Sequence, residues 1–355
     1  MNAQPKVLFV GDLNFYSKGA SRLNALEQLG AETTDLCHSP IGGEDLGFVP
    51  PSLGFRIAWK MGIHRDTENV NSQIIEQVKT LKPDLLWIEK GNMIKPATLK
   101  KVRKLSPNTV IASYSDDDMF NKLNRTRAYA DSLKHYDVVF TTKSYNANAD
   151  ELPALGAKRC VMVDKAYDPS QHRPLDLGAT DRETYGADVG FIGSYAPERA
   201  EVIQYLAEND IQIRVWGNGW QGVSSASQNL QIERQPLVNT RDDLKFSKGI
   251  CATRINLGFL RKVNRDLQTD RSVEIPACGG FMLAERSAEH ERLFEDGKEA
   301  VYFDSNQDLL EKIRYFLDHE DERKSICLAG RARCESSGYS HLERMRFMLK
   351  EALGG

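Results

Sequence analysis

The sequence predicts an α/β fold made of two Rossmann-like, doubly wound domains that face a central cleft. Short apolar runs typical of buried parallel strands alternate with helical segments from residue 6 to residue 166. The alternation stops between residues 167 and 187 and then restarts. The length of 355 residues suits two domains, because single domains usually hold about 100–150 residues.

In the first half, each predicted strand is an apolar run that ends in polar residues or glycine. The predicted strands are 6–12 (KVLFVGD), 84–90 (DLLWIEK), 109–115 (TVIASYS), 137–143 (DVVFTTK) and 160–166 (CVMVDKA). Helices are predicted at 20–29, 67–82 and 96–105, with another between the last two strands. The helix at 67–82 carries Ile74, Ile75, Val78 and Leu81 on one face. Pro96 suits the first turn of the helix that it begins.

The second half repeats the pattern. Its predicted strands are 188–194, 211–217, 255–259, 280–285 and 300–303, and its predicted helices are 197–208, 306–318, 321–335 and 340–353. The last helix carries an apolar stripe of Leu342, Met345, Met348 and Leu349. We expect this stripe to pack against the first domain.

The break at 167–187 contains two prolines and two glycines without helical or strand periodicity, so we interpret it as a linker. The expected domains are therefore 1–166 and 188–337. Residues 338–355 are expected to return to the first domain.

Composition excludes several classes of protein. The net charge is −3, which gives no general basic field for nucleic acid. The six cysteines and seven histidines form no CxxC or HxxxH spacing, so we expect no zinc site. We also expect no required metal and no cofactor. No apolar run approaches a membrane span or a secretory signal. We expect a cytoplasmic protein, and peripheral membrane contact remains open.

The second half opens with GFIGSYAPER, in which a strand leads through Gly193 and Ser194 to a helix near Pro197. Backbone N–H groups at a helix start favour an anion, and Arg199 in the first turn could reach the same anion. The alternative is an ordinary tight turn.

The next strand ends in VWGNGW. Here Gly217, Asn218 and the flanking tryptophans would approach a nucleotide base. The alternative is a glycine turn beside a core tryptophan.

The largest group of candidate ligand-binding residues lies between 256 and 280. Four cations follow a strand there: Arg261, Lys262, Arg265 and Arg271. Ligands bind at the carboxyl ends of strands in doubly wound sheets, so these cations could neutralise a diphosphate. Glu274 would then accept hydrogen bonds from ribose hydroxyls. The alternatives are a solvated loop and a salt bridge between Glu274 and Arg271.

The segment RSVEIPACGGFMLAE and the residues after it resemble the C-terminal domain of the spore-maturation-protein (CgeB-like) glycosyltransferases. VGFIGSYAPER, VWGNGW and residues 136–174 also match the pattern of this family. The similarity covers about two-thirds of the chain, mostly after Asp116. It implies a GT-B fold and retaining transfer from a nucleotide sugar. In many retaining GT-B enzymes two glutamates stand eight residues apart. Glu274 takes the second place, whereas the first holds Asp266, a shorter carboxylate that would face the donor sugar.

In the first half, the loop at 11–22 (GDLNFYSKGASR) follows the first strand, and its Gly11, Ser17 and Gly19 are expected to line the cleft. Three aspartates, 116–118, follow another strand. They could bind acceptor hydroxyls, supply a catalytic base or ligate Mg²⁺. One aspartate is expected to act as a cap, which leaves Asp116 and Asp117 as catalytic candidates.

The sequence therefore predicts a glycosyltransferase with a nucleotide-diphospho-sugar as co-substrate. The acceptor stays open among polysaccharide, protein and small molecule. Two alternatives are a nucleotide-sugar-binding module that has lost transfer and a GT-B-like sugar-nucleotide epimerase.

Overall fold

Strands and helices alternate along the chain in the computed structural model, which describes residues 4–14, 17–39, 52–223, 227–240 and 242–354. The strands are β1 (Lys6–Gly11), β2 (Glu32–Cys37), β3 (Leu85–Glu89), β4 (Val110–Ser115), β5 (Val138–Thr141), β6 (Cys160–Met162), β7 (Ala187–Ile192), β8 (Ile213–Trp216), β9 (Leu230–Ile232), β10 (Thr253–Gly258), β11 (Met282–Glu285) and β12 (Val301–Phe303). The helices are α1 (Lys18–Gln28), α2 (Leu53–Lys60), α3 (Val70–Leu81), α4 (Pro96–Leu105), α5 (Arg127–Ser132), α6 (Ala179–Tyr185), α7 (Pro197–Glu208), α8 (Lys245–Ala252), α9 (Arg271–Ala277), α10 (Ala288–Leu293), α11 (Asn306–Asp318), α12 (Glu320–Ser336) and α13 (His341–Leu353).

The chain divides into two compact units, each built on one six-stranded parallel sheet. The first unit comprises Met1–Asp164 and His341–Gly355, and the second comprises Lys165–Ser340. The strand orders are β2-β1-β3-β4-β5-β6 and β12-β11-β10-β7-β8-β9. In both sheets the strand order reverses direction beside the unit's first strand, as it does in doubly wound folds. The predicted α/β class with two doubly wound parallel sheets is confirmed.

Complete burial explains why the central strands are continuous apolar runs. Every residue of β3 is buried, as expected for a parallel strand that is covered on both faces. The Trp87 ring lies between those of Phe9 and Phe140, with centroid distances of 6.5 and 5.5 Å. Polar side chains are therefore concentrated where the strands end.

The structure departs from the predicted elements at several places. The helix expected between β5 and β6 is wrong, because this segment forms short 3-10 turns at Ser144–Ala147 and Pro153–Leu155. Pro153 and the left-handed Gly156 break it up. The segment 167–187, predicted as a linker, belongs to the second unit and contains α6. The sequence analysis also missed the polar strand β2 and the three-residue strand β9, which lie at sheet edges where an apolar pattern is weakest.

The last helix, α13, packs into the core of the first unit. Met345 and Met348 are fully buried in the cluster that contains Phe9 and Trp87, and the partly buried Leu342 packs against it. An ion pair between Arg344 Nη2 and Asp164 Oδ2, at 3.4 Å, also joins α13 to this unit.

Met345→Ala should lower the free energy of unfolding by about 2–5 kcal/mol, because it removes buried methylene groups and leaves a cavity. Phe347→Ala on the exposed side of the same helix should change it by no more than about 0.5 kcal/mol. Urea denaturation followed by circular dichroism measures both. Equal effects of the two substitutions would contradict the packing of this helix.

Candidate functional site

In the second unit, the loops after β7, β8 and β10 meet where the strand order reverses. β7 and β10 are neighbours, and their connections leave in opposite directions along the sheet. A crevice at the carboxyl ends of two such strands is where doubly wound sheets bind ligands. The residues predicted to bind a nucleotide diphosphate follow these three strands or begin α7 and α9.

The loops after β7 and β8 are joined by their backbones. The N–H groups of Gly193 and Tyr195 donate to the carbonyls of Trp216 and Asn218, both at 2.8 Å. Gly217 has a φ of 157°, and a Cβ added there would lie 1.9 Å from the carbonyl oxygen of Gly193. Glycine is therefore required at 217 for the approach of one loop to the other.

The two tryptophans of VWGNGW do not offer surfaces to a base. Trp216 and Trp220 are buried, and the Trp220 indole N–H donates to the Gly193 carbonyl at 2.9 Å. The core-tryptophan alternative is therefore correct for this motif. The structure instead exposes Tyr195, whose ring meets Trp220 edge-on at 5.4 Å. Sequence analysis missed Tyr195, and its place in the turn between β7 and α7 was the available signal.

Arg199 connects two of the loops at this edge of the sheet. Its guanidinium donates to the carbonyls of Ser194 at 3.0 Å and Phe259 at 3.3 Å, so it ties the loop after β7 to the loop after β10. Burial, with Arg261 nearby, lowers the pKa of the Arg199 guanidinium. The Arg199 guanidinium therefore donates to backbone oxygens in this structure.

Arg271 is held on three sides. Its Nε donates to the carbonyl of Ile192 at 2.9 Å, Nη1 pairs with Glu274, and the guanidinium carbon lies 4.3 Å from the centre of the Phe246 ring. These contacts engage Nε, Nη1 and one face of the guanidinium. The remaining edge, at Nη2, makes no hydrogen bond within the described part of the chain. That edge can meet an anion beside the end of β7.

Glu274 is almost completely buried, with 1% of its surface exposed. Besides Arg271, its carboxylate faces His172, with Nε2 3.6 Å from Oε1. The backbone N–H of Asp168 donates to His172 Nδ1 at 3.0 Å, which leaves the ring proton on Nε2, toward Glu274. The salt bridge considered as the alternative is therefore present, and Glu274 is not open to a ribose in this conformation.

The loop after β10 carries the exposed cations. Arg261 and Lys262 are exposed, and neither forms an ion pair with any residue that the structure describes. Asp266 is placed by its own loop: its N–H donates to the Arg261 carbonyl at 3.2 Å, and Asn264 donates to its carboxylate at 2.9 Å. Arg265 adopts a left-handed conformation between them. This loop therefore presents positive charge beside one positioned carboxylate.

The start of α9 is anchored by a buried serine–histidine pair. Ser272 Oγ lies 2.6 Å from His290 Nε2, while His290 Nδ1 lies 2.7 Å from the carbonyl of Glu285. The second contact places the ring proton on Nδ1, so Nε2 accepts from the serine hydroxyl. Burial lowers the pKa of His290 to about 4, and the ring is neutral at pH 7.

In the first unit, the predicted acceptor-side carboxylates follow β4 and meet a buried ion pair. Arg22 of α1 pairs in bidentate fashion with Glu89, at 2.8 and 2.6 Å. Its Nη2 lies 3.6 Å from Asp116 Oδ2, and the Tyr114 hydroxyl donates to Asp116 Oδ1 at 2.8 Å. Glu89, Tyr114 and Asp116 outweigh the effect of burial and raise the pKa of Arg22. Asp116 is therefore a fixed, partly exposed carboxylate. Sequence analysis missed Arg22 and Glu89, which lie far apart in the chain.

The three aspartates have different surroundings. Asp117 pairs with Lys90 at 2.5 Å. Asp118 is fully buried and accepts hydrogen bonds from the Phe120 N–H at 3.1 Å and the Asn146 amide at 2.8 Å. Asp118 thus caps a turn, and Asp116 and Asp117 are the two that retain exposed surface.

The loop after β1 is stabilised by hydrogen bonds among its own residues. Ser17 caps α1 by accepting from the Gly19 N–H at 3.0 Å, and its hydroxyl donates to the Asp12 carbonyl at 2.6 Å. A Cβ at Gly19 would lie 2.3 Å from that carbonyl, and one at Gly11 would lie 2.9 Å from Glu89 Cγ. Both glycines make room for protein atoms. Residues 15 and 16 of this loop lie outside the described residues.

Within the ranges given above, no three His, Cys, Asp or Glu side chains are grouped so that they could hold a metal ion. No helix in the same ranges has the length and apolar character needed to cross a membrane.

Comparison with known proteins supports a class for this fold. Residues 199–350 match a protein family described as glycosyl transferase-like. No match was found among curated protein sequences. The two parallel six-stranded sheets with their helices match GT-B glycosyltransferase structures, so the chain has a GT-B fold.

Three solved structures illustrate the similarity. A glycosyltransferase from Rickettsia africae is 12% identical, with a TM-score of 0.66 over 99% of each chain. Anabaena Alr3699/HepE in complex with UDP is 12% identical, with a TM-score of 0.58 over 98% of this chain and 99% of the other. A putative UDP-N-acetylglucosamine 2-epimerase from Listeria monocytogenes is 13% identical, with a TM-score of 0.58 over 98% and 95%. At such identities the likeness shows the fold alone.

The neutral His290 should make stability depend on pH. Below pH 6.5 the His290 ring is protonated in the unfolded chain, whereas in the folded protein it stays neutral until the pH falls to about 4. The contribution of the neutral His290 ring to the free energy of unfolding is complete above pH 6.5. It is lost as the pH falls toward 4, by up to roughly 3 kcal/mol. Urea denaturation between pH 7 and 4 should show a smaller loss for His290→Gln than for the parent protein. The same pH slope in both proteins would contradict the assignment.

Proposed function

We propose that this protein is a glycosyltransferase that takes its sugar from a nucleotide-diphospho-sugar bound by the second unit. The observation that carries the proposal is the pair of exposed cations Arg261 and Lys262, which have no ion-pair partner among the described residues, at the strand-order reversal of that unit. They lie within the segment 199–350 that matches the glycosyl transferase-like family. Because Anabaena HepE binds UDP and UDP-glucose on a similar fold, a uridine diphosphate sugar is the first donor to test.

The cations of the proposed donor site have two different roles, diphosphate binding and loop positioning. Arg261, Lys262 and the open edge of Arg271 would hold the diphosphate and stabilise the negative charge that develops on it as the sugar leaves. Arg199 would keep the two loops at the distance that this requires, with Gly193 and Ser194 on the β7 side. The exposed ring of Tyr195 would stack on the base.

Two carboxylates of this unit have proposed contacts with the donor. Asp266 would hydrogen-bond sugar hydroxyls, and the resemblance to CgeB-like enzymes supports retention. Glu274 would accept from the ribose hydroxyls after Arg271 turns toward the diphosphate, since the two side chains are paired in the structure.

The first unit would bind the acceptor. Asp116 is the better candidate for the base, because Tyr114 and Arg22 fix its carboxylate while part of it stays exposed. Asp117 would contact acceptor hydroxyls beside Lys90. Polysaccharide, protein and small-molecule acceptors all fit this chemistry.

Incubation with a panel of nucleotide sugars and candidate acceptors tests the function. We expect release of nucleoside diphosphate together with a glycosylated acceptor, and unchanged turnover in EDTA. A binding module would retain the donor unchanged, and an epimerase would convert it to an isomeric sugar nucleotide, as seen by chromatography. Either result would overturn the proposal.

Arg261→Ala and Lys262→Ala should each weaken UDP binding by roughly 1.5–3 kcal/mol, the range for hydrogen bonds to charged groups. The melting temperature should not change, because both side chains are exposed. Lys324→Ala, which removes an exposed lysine of α12 in the same unit, is the matched control. Titration calorimetry measures the UDP affinity of all three variants. Unchanged UDP affinity in both loop variants would contradict the proposed site.

Glu274→Gln separates ribose binding from the support of Arg271. A ribose ligand predicts a loss of roughly 1.5–3 kcal/mol for UDP and a smaller loss for inorganic pyrophosphate, which has no ribose. Calorimetry with the two ligands makes the comparison. Equal losses would show that Glu274 acts on the diphosphate only through Arg271.

Asp116→Asn should leave the affinity for the donor nearly intact and lower kcat by about 10²–10⁴-fold, the usual contribution of general acid–base catalysis. Asp117→Asn should affect the KM for the acceptor more than kcat. Asp131→Asn on α5, where the carboxylate is exposed, is the control. If both Asp116→Asn and Asp117→Asn retain full activity, the acceptor-side assignment is wrong.

A further inference from the structure

Helix α2 of the first unit presents apolar side chains to solvent along one side. Leu53, Ile57 and Met61 follow one another at four-residue spacing, which places them on one face. Their exposed fractions are 71%, 51% and 69%, and Ile63 is 52% exposed. Exposed apolar residues usually occur singly, whereas a contiguous group marks an interaction surface.

Hydrogen bonds define the C-terminal end of this helix. The N–H groups of Met61 and Ile63 donate to the carbonyls of Ile57 and Ala58, at 3.1 and 2.9 Å. Gly62 between them has a φ of 70°, so the chain closes the helix with a Schellman turn. Ala58 is buried, so the exposed stripe and the Ala58 side chain lie on different sides of the helix.

Positive charge flanks the stripe, and no carboxylate of the described residues pairs with it. Arg56, Lys60 and Arg65 are exposed, and the structure shows no ion pair to any of them among the residues it describes. No Asp or Glu occurs between residues 52 and 65. The next acid, Asp66, accepts from the Val70 and Asn71 N–H groups at 2.7 and 3.0 Å, so it is engaged at the start of α3.

We propose that these seven residues, the α2 patch (Leu53, Arg56, Ile57, Lys60, Met61, Ile63 and Arg65), dock the first unit on an anionic lipid surface. A short helix with exposed large apolar residues and flanking Lys and Arg buries its apolar side at the level of the headgroups. The basic side chains then reach the anionic headgroups, and their apolar stems cover the adjacent surface. The proposal does not depend on transferase activity.

Charge favours the lipid surface over a second copy of the chain. Symmetric pairing through the α2 patch would place Arg56, Lys60 and Arg65 of one copy against the same residues of the other. Like charges brought together in this way oppose association. An anionic bilayer supplies both the apolar layer and the opposite charge.

Vesicle flotation of the full chain tests the proposal. The protein is mixed with vesicles of phosphatidylcholine alone or with added phosphatidylglycerol, at low and high salt. We expect flotation with the anionic vesicles that weakens as salt screens the charges. Leu53→Ser/Ile57→Ser/Met61→Ser should lower the partition coefficient by about tenfold or more. Leu328→Ser on α12, where the parent side chain is 74% exposed, should leave it unchanged.

A charge variant keeps the test valid if the serine variant unfolds. Arg56→Glu/Lys60→Glu retains the apolar stripe and should lose the preference for anionic vesicles. Circular dichroism and melting report folding of each variant. No flotation of the parent protein, or equal flotation of the folded variants, would overturn the proposal. A concentration-dependent dimer in sedimentation that the serine variant abolishes would replace the lipid with a second copy.

Discussion

Burial of each parallel sheet on both faces is the constraint on which the rest of the structure depends. A strand such as β3 is buried at every position, so it offers no surface for chemistry along its length. Chemistry is possible where the strands end and the chain turns outward. Glu89 at the end of β3, Asp116 after β4 and Arg261 after β10 all occupy such positions.

Charge pairs with at least one buried partner hold these strand ends in place. Arg22 reaches from α1 to Glu89 at the end of β3, and Arg271 reaches from α9 to the last carbonyl of β7 while pairing with Glu274. Such pairs add little net stability, because each charge must lose its water. Removing one partner is much worse, since it leaves the other charge buried alone. Their structural effect is to fix the orientation of side chains at the strand ends.

The cations of the second unit show how structure divides residues that look alike in sequence. Arg199 and Arg271 donate to backbone carbonyls and give the crevice its shape. Arg261 and Lys262 are exposed on the loop after β10. A guanidinium that is held on several sides loses little further freedom when an anion binds, whereas an exposed lysine must be ordered. The proposed donor site combines both kinds.

Much of the fold could be predicted from the sequence, because apolar runs and helical periodicity record burial directly. The two parallel sheets follow from that pattern. It gave no signal for β2 and β9 at the sheet edges, and it wrongly suggested a helix between β5 and β6, where Pro153 and Gly156 decide the local structure.

The sequence by itself also placed glycines, cations and carboxylates at the ends of strands, where an α/β protein binds ligands. Which of them face solvent was decided only by the tertiary structure. Glu274 pairs with Arg271, Trp216 and Trp220 enter the core, and Tyr195 stays outside. The pairing of Arg22 with Glu89, 67 residues later, joins segments that are distant in the chain. The physical reason is that periodicity reports which side of an element is buried, whereas the partner of a buried charge depends on how separate elements pack.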